Sequence, residues 1–87
     1  MKRIIVEIYP FDFKQRFYIF EGDILKMQAT VPLADLPDQV LSLAHQNEIT
    51  DIEIKGGINF TAKIKEEIRA KEVSQYGAST LQINLIA

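Results

Sequence analysis

Three successive runs of period-two alternation, at residues 3–9, 13–20 and 24–31, constrain this chain more than any other feature. In the first, Ile4, Val6 and Ile8 fall on one side, with Ile5, Glu7 and Tyr9 on the other. In the second, Phe13, Phe17 and Ile19 oppose Lys14, Arg16, Tyr18 and Phe20. In the third, Leu25, Met27, Ala29 and Val31 oppose Ile24, Lys26, Gln28 and Thr30. Successive side chains leave opposite faces of a β-strand, so each run reads as a strand with one core-facing side. Tyr9-Pro10-Phe11-Asp12 is a turn, with Pro10 presetting φ, and Glu21-Gly22-Asp23 is a hairpin loop in which Gly22 takes positive φ. Connections this short join antiparallel neighbours, and the three strands form a meander.

The apolar period then changes. Asp35 ahead of Leu36-Pro37 is a cap followed by an early proline, which opens a helix. Leu36, Val40, Leu43 and Ala44 share one face of it, and Asn47 is the expected left-handed stop. Alternation returns over 49–55, with Ile52 and Ile54 inward and Asp51, Glu53 and Lys55 outward. Gly56-Gly57 ends that strand. A second helix is predicted from about residue 60, capped by Asn59 or Thr61. Phe60, Ile64 and Ile68 form its apolar stripe, Glu67 pairs with Lys71, and Glu66, Glu67 and Glu72 lie on the solvent side. Gly77 lies in the exit loop, and a last strand over about 80–86 turns Leu81, Ile83 and Leu85 inward.

The order is therefore βββαβαβ, an α/β chain arranged as a two-layer α+β sandwich. The first strand is the most continuously apolar, which suits the centre of the sheet. The fourth then lies parallel beside it, giving a mixed five-stranded sheet of order 3-2-1-4-5. This element order and strand order are similar to the core of the ribonuclease H-like fold. Two helices cover one face of such a sheet, and the alternation within each strand agrees with a single buried face. The other face should carry Tyr9, Lys14, Arg16, Tyr18, Phe20 and Lys26, together with Ile5, Glu7, Glu53 and Lys55.

Composition bears on what such a chain can do. Its 87 residues fall within the roughly 50–250 of a single domain, so 1–87 is read as one α/β domain. There is no cysteine and only one histidine, which removes disulfides, thiol nucleophiles and the usual His/Cys metal sites. The net charge of −2 gives no global field for nucleic acid. The opening MKRIIVEIY is basic and then apolar, but Glu7 interrupts it and no small-residue cleavage site follows. No stretch reaches the roughly 18–20 apolar residues of a membrane span. A soluble, cytoplasmic protein without cofactor is the expectation.

Few residues offer chemistry. The ribonuclease H-like resemblance implies carboxylates on strands one and four around divalent ions, and Glu7 and Glu53 hold comparable places. Tyr9-Pro10 and Lys55-Gly56 stand where further carboxylates would be useful, so the pair reads as partners for neighbouring cations and no catalytic or metal residue is assigned. Lys55, Gly56 and Gly57 precede a helix and form a weak candidate for an anion, without any phosphate-loop motif. His45, near the end of the first helix, is expected to interact with that helix terminus.

Tyr9, Tyr18 and Phe20 among Lys14, Arg16 and Lys26 are the strongest signal. Contiguous aromatic residues on an open sheet suit a protein partner or a second copy of the chain, in a homodimer. Single-stranded nucleic acid is the alternative occupant, by stacking and phosphate contact. A metal-dependent nuclease is the third.

Overall fold

The computed structural model describes residues 1–9 and 14–86. Three strands come first: β1 (Lys2–Glu7), β2 (Lys14–Glu21) and β3 (Ile24–Pro32). A 3-10 turn at Leu33–Asp35 leads into α1 (Leu36–Gln46), followed by β4 (Asp51–Lys55), α2 (Ile58–Tyr76) and β5 (Gln82–Ile86). The sheet order is β3-β2-β1-β4-β5, with antiparallel pairing among the first three strands and parallel pairing of β4 with β1 and β5. The expected order and the placement of β1 at the centre are both observed. The turn residues Pro10, Phe11 and Asp12, and Phe13 at the start of the second run, lie outside the described residues.

One core joins the sheet to both helices. Ile4, Val6, Phe17, Ile52 and Ile54 meet Leu36, Val40, Leu41 and Ala44 of α1, and Ile64 and Ile68 of α2. All the strand members have the same alternation parity, so both helices pack on one face and the opposite face is left open. An ion pair between Lys71 Nζ and Asp38 Oδ1 at 3.1 Å ties the helices together on their outer side. Lys71 thus pairs across to α1, where an intrahelical pair with Glu67 was expected. The rings of His45 and Tyr76 stack at 3.6 Å and 9°, joining the C-terminal ends of the two helices. His45 thus has a ring partner in addition to its place in the last turn of α1.

Several local readings are corrected. In α1 the buried stripe includes Leu41, while Leu43 is only half-buried. The chain leaves that helix with Glu48 at φ 55°, and Asn47, at φ −105°, instead donates its side-chain amide to Leu43 O at 2.9 Å. Helix α2 begins at Ile58 with Gly57 as its N-cap, two residues before the periodicity suggested, and Phe60 remains 47% exposed. A glycine cap brings no side-chain oxygen, so the usual polar signal for a helix start was missing here.

Gln15, Thr61 and Glu72 are polar side chains at buried positions. Gln15, completely buried on the inner side of β2, donates from Nε2 to Tyr9 O at 3.0 Å and accepts from Tyr9 N–H. Its amide thereby acts as a piece of backbone ladder between Tyr9 and the start of β2. Glu72, expected at the surface, is also completely buried. Its Oε2 accepts from Thr80 N–H at 3.2 Å, Thr80 Oγ1–H at 3.1 Å and Leu81 N–H at 3.3 Å, while Oε1 has no partner. The carboxylate satisfies the backbone donors just before β5, where no strand or helix supplies an acceptor.

Removing that acceptor strands the buried Leu81 N–H and the part-buried Thr80 N–H, and an unmade buried donor costs about 1–3 kcal/mol. Glu72→Ala is expected to lower the unfolding free energy by about 2–3 kcal/mol in a denaturant titration. Glu66→Ala, at an exposed position of the same helix, should stay within about 0.5 kcal/mol.

Candidate functional site: the open face of the sheet

Strand pairing fixes which side chains meet on the face away from the helices. At one end, Phe20 of β2, Arg3 of β1, Asp51 of β4 and Gln82 of β5 stand side by side. The middle row is Tyr18, Ile5, Glu53 and Asn84. At the other end the row is Arg16, Glu7, Lys55 and Ile86. Lys14 stands beyond Arg16 on β2, and Tyr9 follows β1. Of the expected face residues, Tyr9, Lys14, Arg16, Tyr18 and Phe20 are therefore brought together with Lys55.

Lys26 is not among them. The β2–β3 register shifts between Ile19 and Phe20, pairing Ile19 with Met27 and Phe20 with Leu25 and leaving Lys26 as the extra residue of a β-bulge. Partners across an antiparallel pair share a face, so Leu25, not Lys26, lies beside Phe20. The ammonium of Lys26 instead lies 3.9 Å from Glu21 Oε2, at a shallow hollow that includes Ile19, Met27 and Asn47 on the helix side. A single inserted residue reversed the alternation from that point to the hairpin, and nothing in the pattern of residues 24–31 marks it.

The aromatic side chains are held by charges. The Arg3 guanidinium lies 5.4 Å from the centre of the Phe20 ring, and its Nε is buried without a hydrogen-bond partner. Arg16 lies 6.0 Å from the centre of the Tyr9 ring, and Tyr18 and Phe20 form a tilted pair at 6.4 Å. Contacts of cation with ring contribute about 0.5–1 kcal/mol each where exposed. Ile5, at the centre of the face, is buried although no helix covers it. Neighbouring side chains close over it, which makes β1 apolar on both faces.

Glu7 organises the other end. Tyr9 Oη donates to Glu7 Oε2 at 2.9 Å, and Tyr18 donates a second hydrogen bond. The Tyr18 bond is the main cause that holds the Glu7 carboxyl below its ordinary 4.5; the Tyr9 bond and the charges of Lys55 and Arg16 add to it against the opposing effect of burial. The same bonds raise both phenols above their ordinary 10.0, since ionising either would place an anion beside Glu7. Glu7 and Glu53 sit diagonally on adjacent strands, each with a cation or an amide across from it. Among the described residues, no group of three or more His, Cys, Asp or Glu is placed to hold a metal ion.

The candidate anion site is divided. The charge of Lys55 acts on Glu7 at the open face, whereas Gly56 N–H donates to Ile86 O at 3.3 Å and Gly57 O accepts from Phe60 and Thr61 N–H. Gly56 has φ 148°, and a Cβ there would meet Ile8 O at 3.0 Å and Ile8 Cβ at 3.1 Å. Gly56 thus serves a close passage of backbone past the end of β1, and Gly57 is the N-cap of α2. Among the described residues, no helix is long and apolar enough to cross a membrane.

The ionised form of Glu7 stabilises the fold above pH 4.5, and that contribution is lost as pH falls below 4.5 through the lowered folded value. Glu7→Gln should therefore flatten the acid limb of a stability-versus-pH curve over that interval. In an absorbance titration, the same variant should bring the Tyr9 and Tyr18 phenols back toward 10.0. No family model, curated protein or solved structure matches this chain, so the functional reading rests on the geometry of the open face.

Proposed function

We propose that this chain is a small, non-enzymatic interaction module whose open sheet face is the contact surface for a protein partner or a second copy. The observation that carries the reading is the cluster of Tyr18, Phe20 and Arg3 over Ile5, on the one sheet face that no helix covers. Aromatic residues and arginine at the centre of a patch, with charges around it, are the composition of protein contact surfaces. The rings are already fixed by neighbouring charges, so little side-chain entropy is lost on contact. The lack of cysteine supports a reducing compartment such as the cytoplasm.

A second reading, single-stranded nucleic acid on the same face, is favoured by one feature. Arg16 over the Tyr9 ring, with Lys14 and Lys55 nearby, makes a cationic end beside ring faces suited to stacking. Against it stand Glu7 and Glu53 on the same surface, and the net charge of −2.

The solution mass, measured by sedimentation with and without a short oligonucleotide at low and moderate salt, separates the two. A salt-sensitive complex with the oligonucleotide would favour the second. Under the protein reading, Tyr18→Ala with Phe20→Ala weakens association by more than about 2 kcal/mol, roughly 30-fold, with the circular dichroism of the fold retained. Association unchanged by that double substitution would refute it.

A further inference from the structure

We infer that the occupant of the open face is a second copy of this chain, packed face to face about a twofold axis that runs across the strands. The inference rests on the contact-surface reading above and adds to it a partner and a geometry.

With Ile5 held at the centre, so that β1 lies over its own counterpart, two twofold arrangements aligned with the strands are open, and side-chain charge distinguishes them. If the axis runs along the strands, each end row meets its own copy. Arg3 then faces Arg3, Glu7 faces Glu7, and Arg16 of β2 falls over Lys55 of β4 in the other copy, because β2 and β4 flank β1 symmetrically. Every pair of charged residues brought together in this way is like-signed, while Phe20 falls over Asp51 and Tyr18 over Glu53. If the axis instead runs across the strands, through the row of Tyr18, Ile5, Glu53 and Asn84, every strand lies over its own counterpart with direction reversed. Arg3 then faces Glu7 on β1, Asp51 faces Lys55 on β4, and Phe20 faces Arg16 on β2. Two opposite-charge contacts and one cation–ring contact result, and symmetry produces each of them twice.

Stacked sheets lie about 10 Å apart, which long side chains from both copies can bridge. Ile5 and Tyr18 meet their own copies at the centre, which makes the middle of the contact apolar and aromatic. Glu53 also meets its own copy there, as the one like-charge contact on the axis. That contact gives the arrangement a distinctive signature, because removing a charge should strengthen association.

Equilibrium sedimentation of the full chain and four variants tests this. Glu53→Gln should tighten the dimer by about threefold or more, since each such dimer loses a carboxylate repulsion. Lys55→Glu alone and Asp51→Lys alone should each loosen it by about tenfold. The double variant, which restores opposite charges, should return to within about threefold of the parent. Thermal melts of each variant at low concentration report whether the monomer itself has been altered. A parent that is monomeric at all concentrations overturns the self-pairing, while the contact-surface reading stands or falls separately on loss of a protein partner by the Tyr18 and Phe20 variant. A dimer weakened by that variant but not restored by the charge exchange overturns the geometry alone. A dimer indifferent to both sets places the interface elsewhere and overturns both.

Discussion

The parallel pairing of β4 with β1 is the constraint on which the rest of this structure depends. It sets β1 at the centre of the sheet, with the meander on one side and the β4–α2–β5 unit on the other. Ile4 and Val6 lie beside Ile52 and Ile54 on the inner side, and all four are completely buried. With β1 central, α1 and α2 must share one face to bury these residues, because one layer of two helices cannot protect both sides. The uncovered side follows as a geometric remainder. Its centre, Ile5, is nonetheless kept from water by the side chains around it.

That remainder has its own internal order. Glu7 draws two phenol groups and two cations toward one end of the face, and Arg3 lies over Phe20 at the other. Each aromatic ring is therefore located by a charge, and in the two end rows the charges have opposite-sign neighbours. Such a surface is cross-linked by charge without being apolar throughout. Its binding properties are set by the sequence of charge along each strand as much as by ring area, since electrostatic pattern governs which orientation of a partner is tolerated.

Much of the architecture was legible in the residues. Period-two alternation placed the strands, the shift to helical spacing between Leu36 and Ala44 placed α1, and the continuous apolar character of residues 4–6 placed β1 centrally. Five of the expected face residues, from Tyr9 to Phe20, follow from the same alternation. The errors share a physical cause. Lys26 and Leu25 exchanged faces because a bulge adds one residue without altering composition. Gln15 and Glu72 are polar by composition and buried by function, each supplying hydrogen bonds where the backbone has none to offer. The start of α2 was misplaced because its cap is a glycine. Periodicity reads the side on which a residue falls, and it is blind where a polar group has been recruited to satisfy backbone.

Gly56 has a consequence for any search for kin of this chain. Its backbone passes so close to Ile8 that a β-carbon would touch both the carbonyl and the side chain there, and its φ of 148° is one that other residues rarely adopt. Any other residue at position 56 is strained in its backbone and crowded by Ile8. A distant chain of this topology should be sought through a glycine directly after its fourth strand, followed by a helix, and not through overall identity. Where that glycine is missing, the chain after the fourth strand must pass farther from the end of the first.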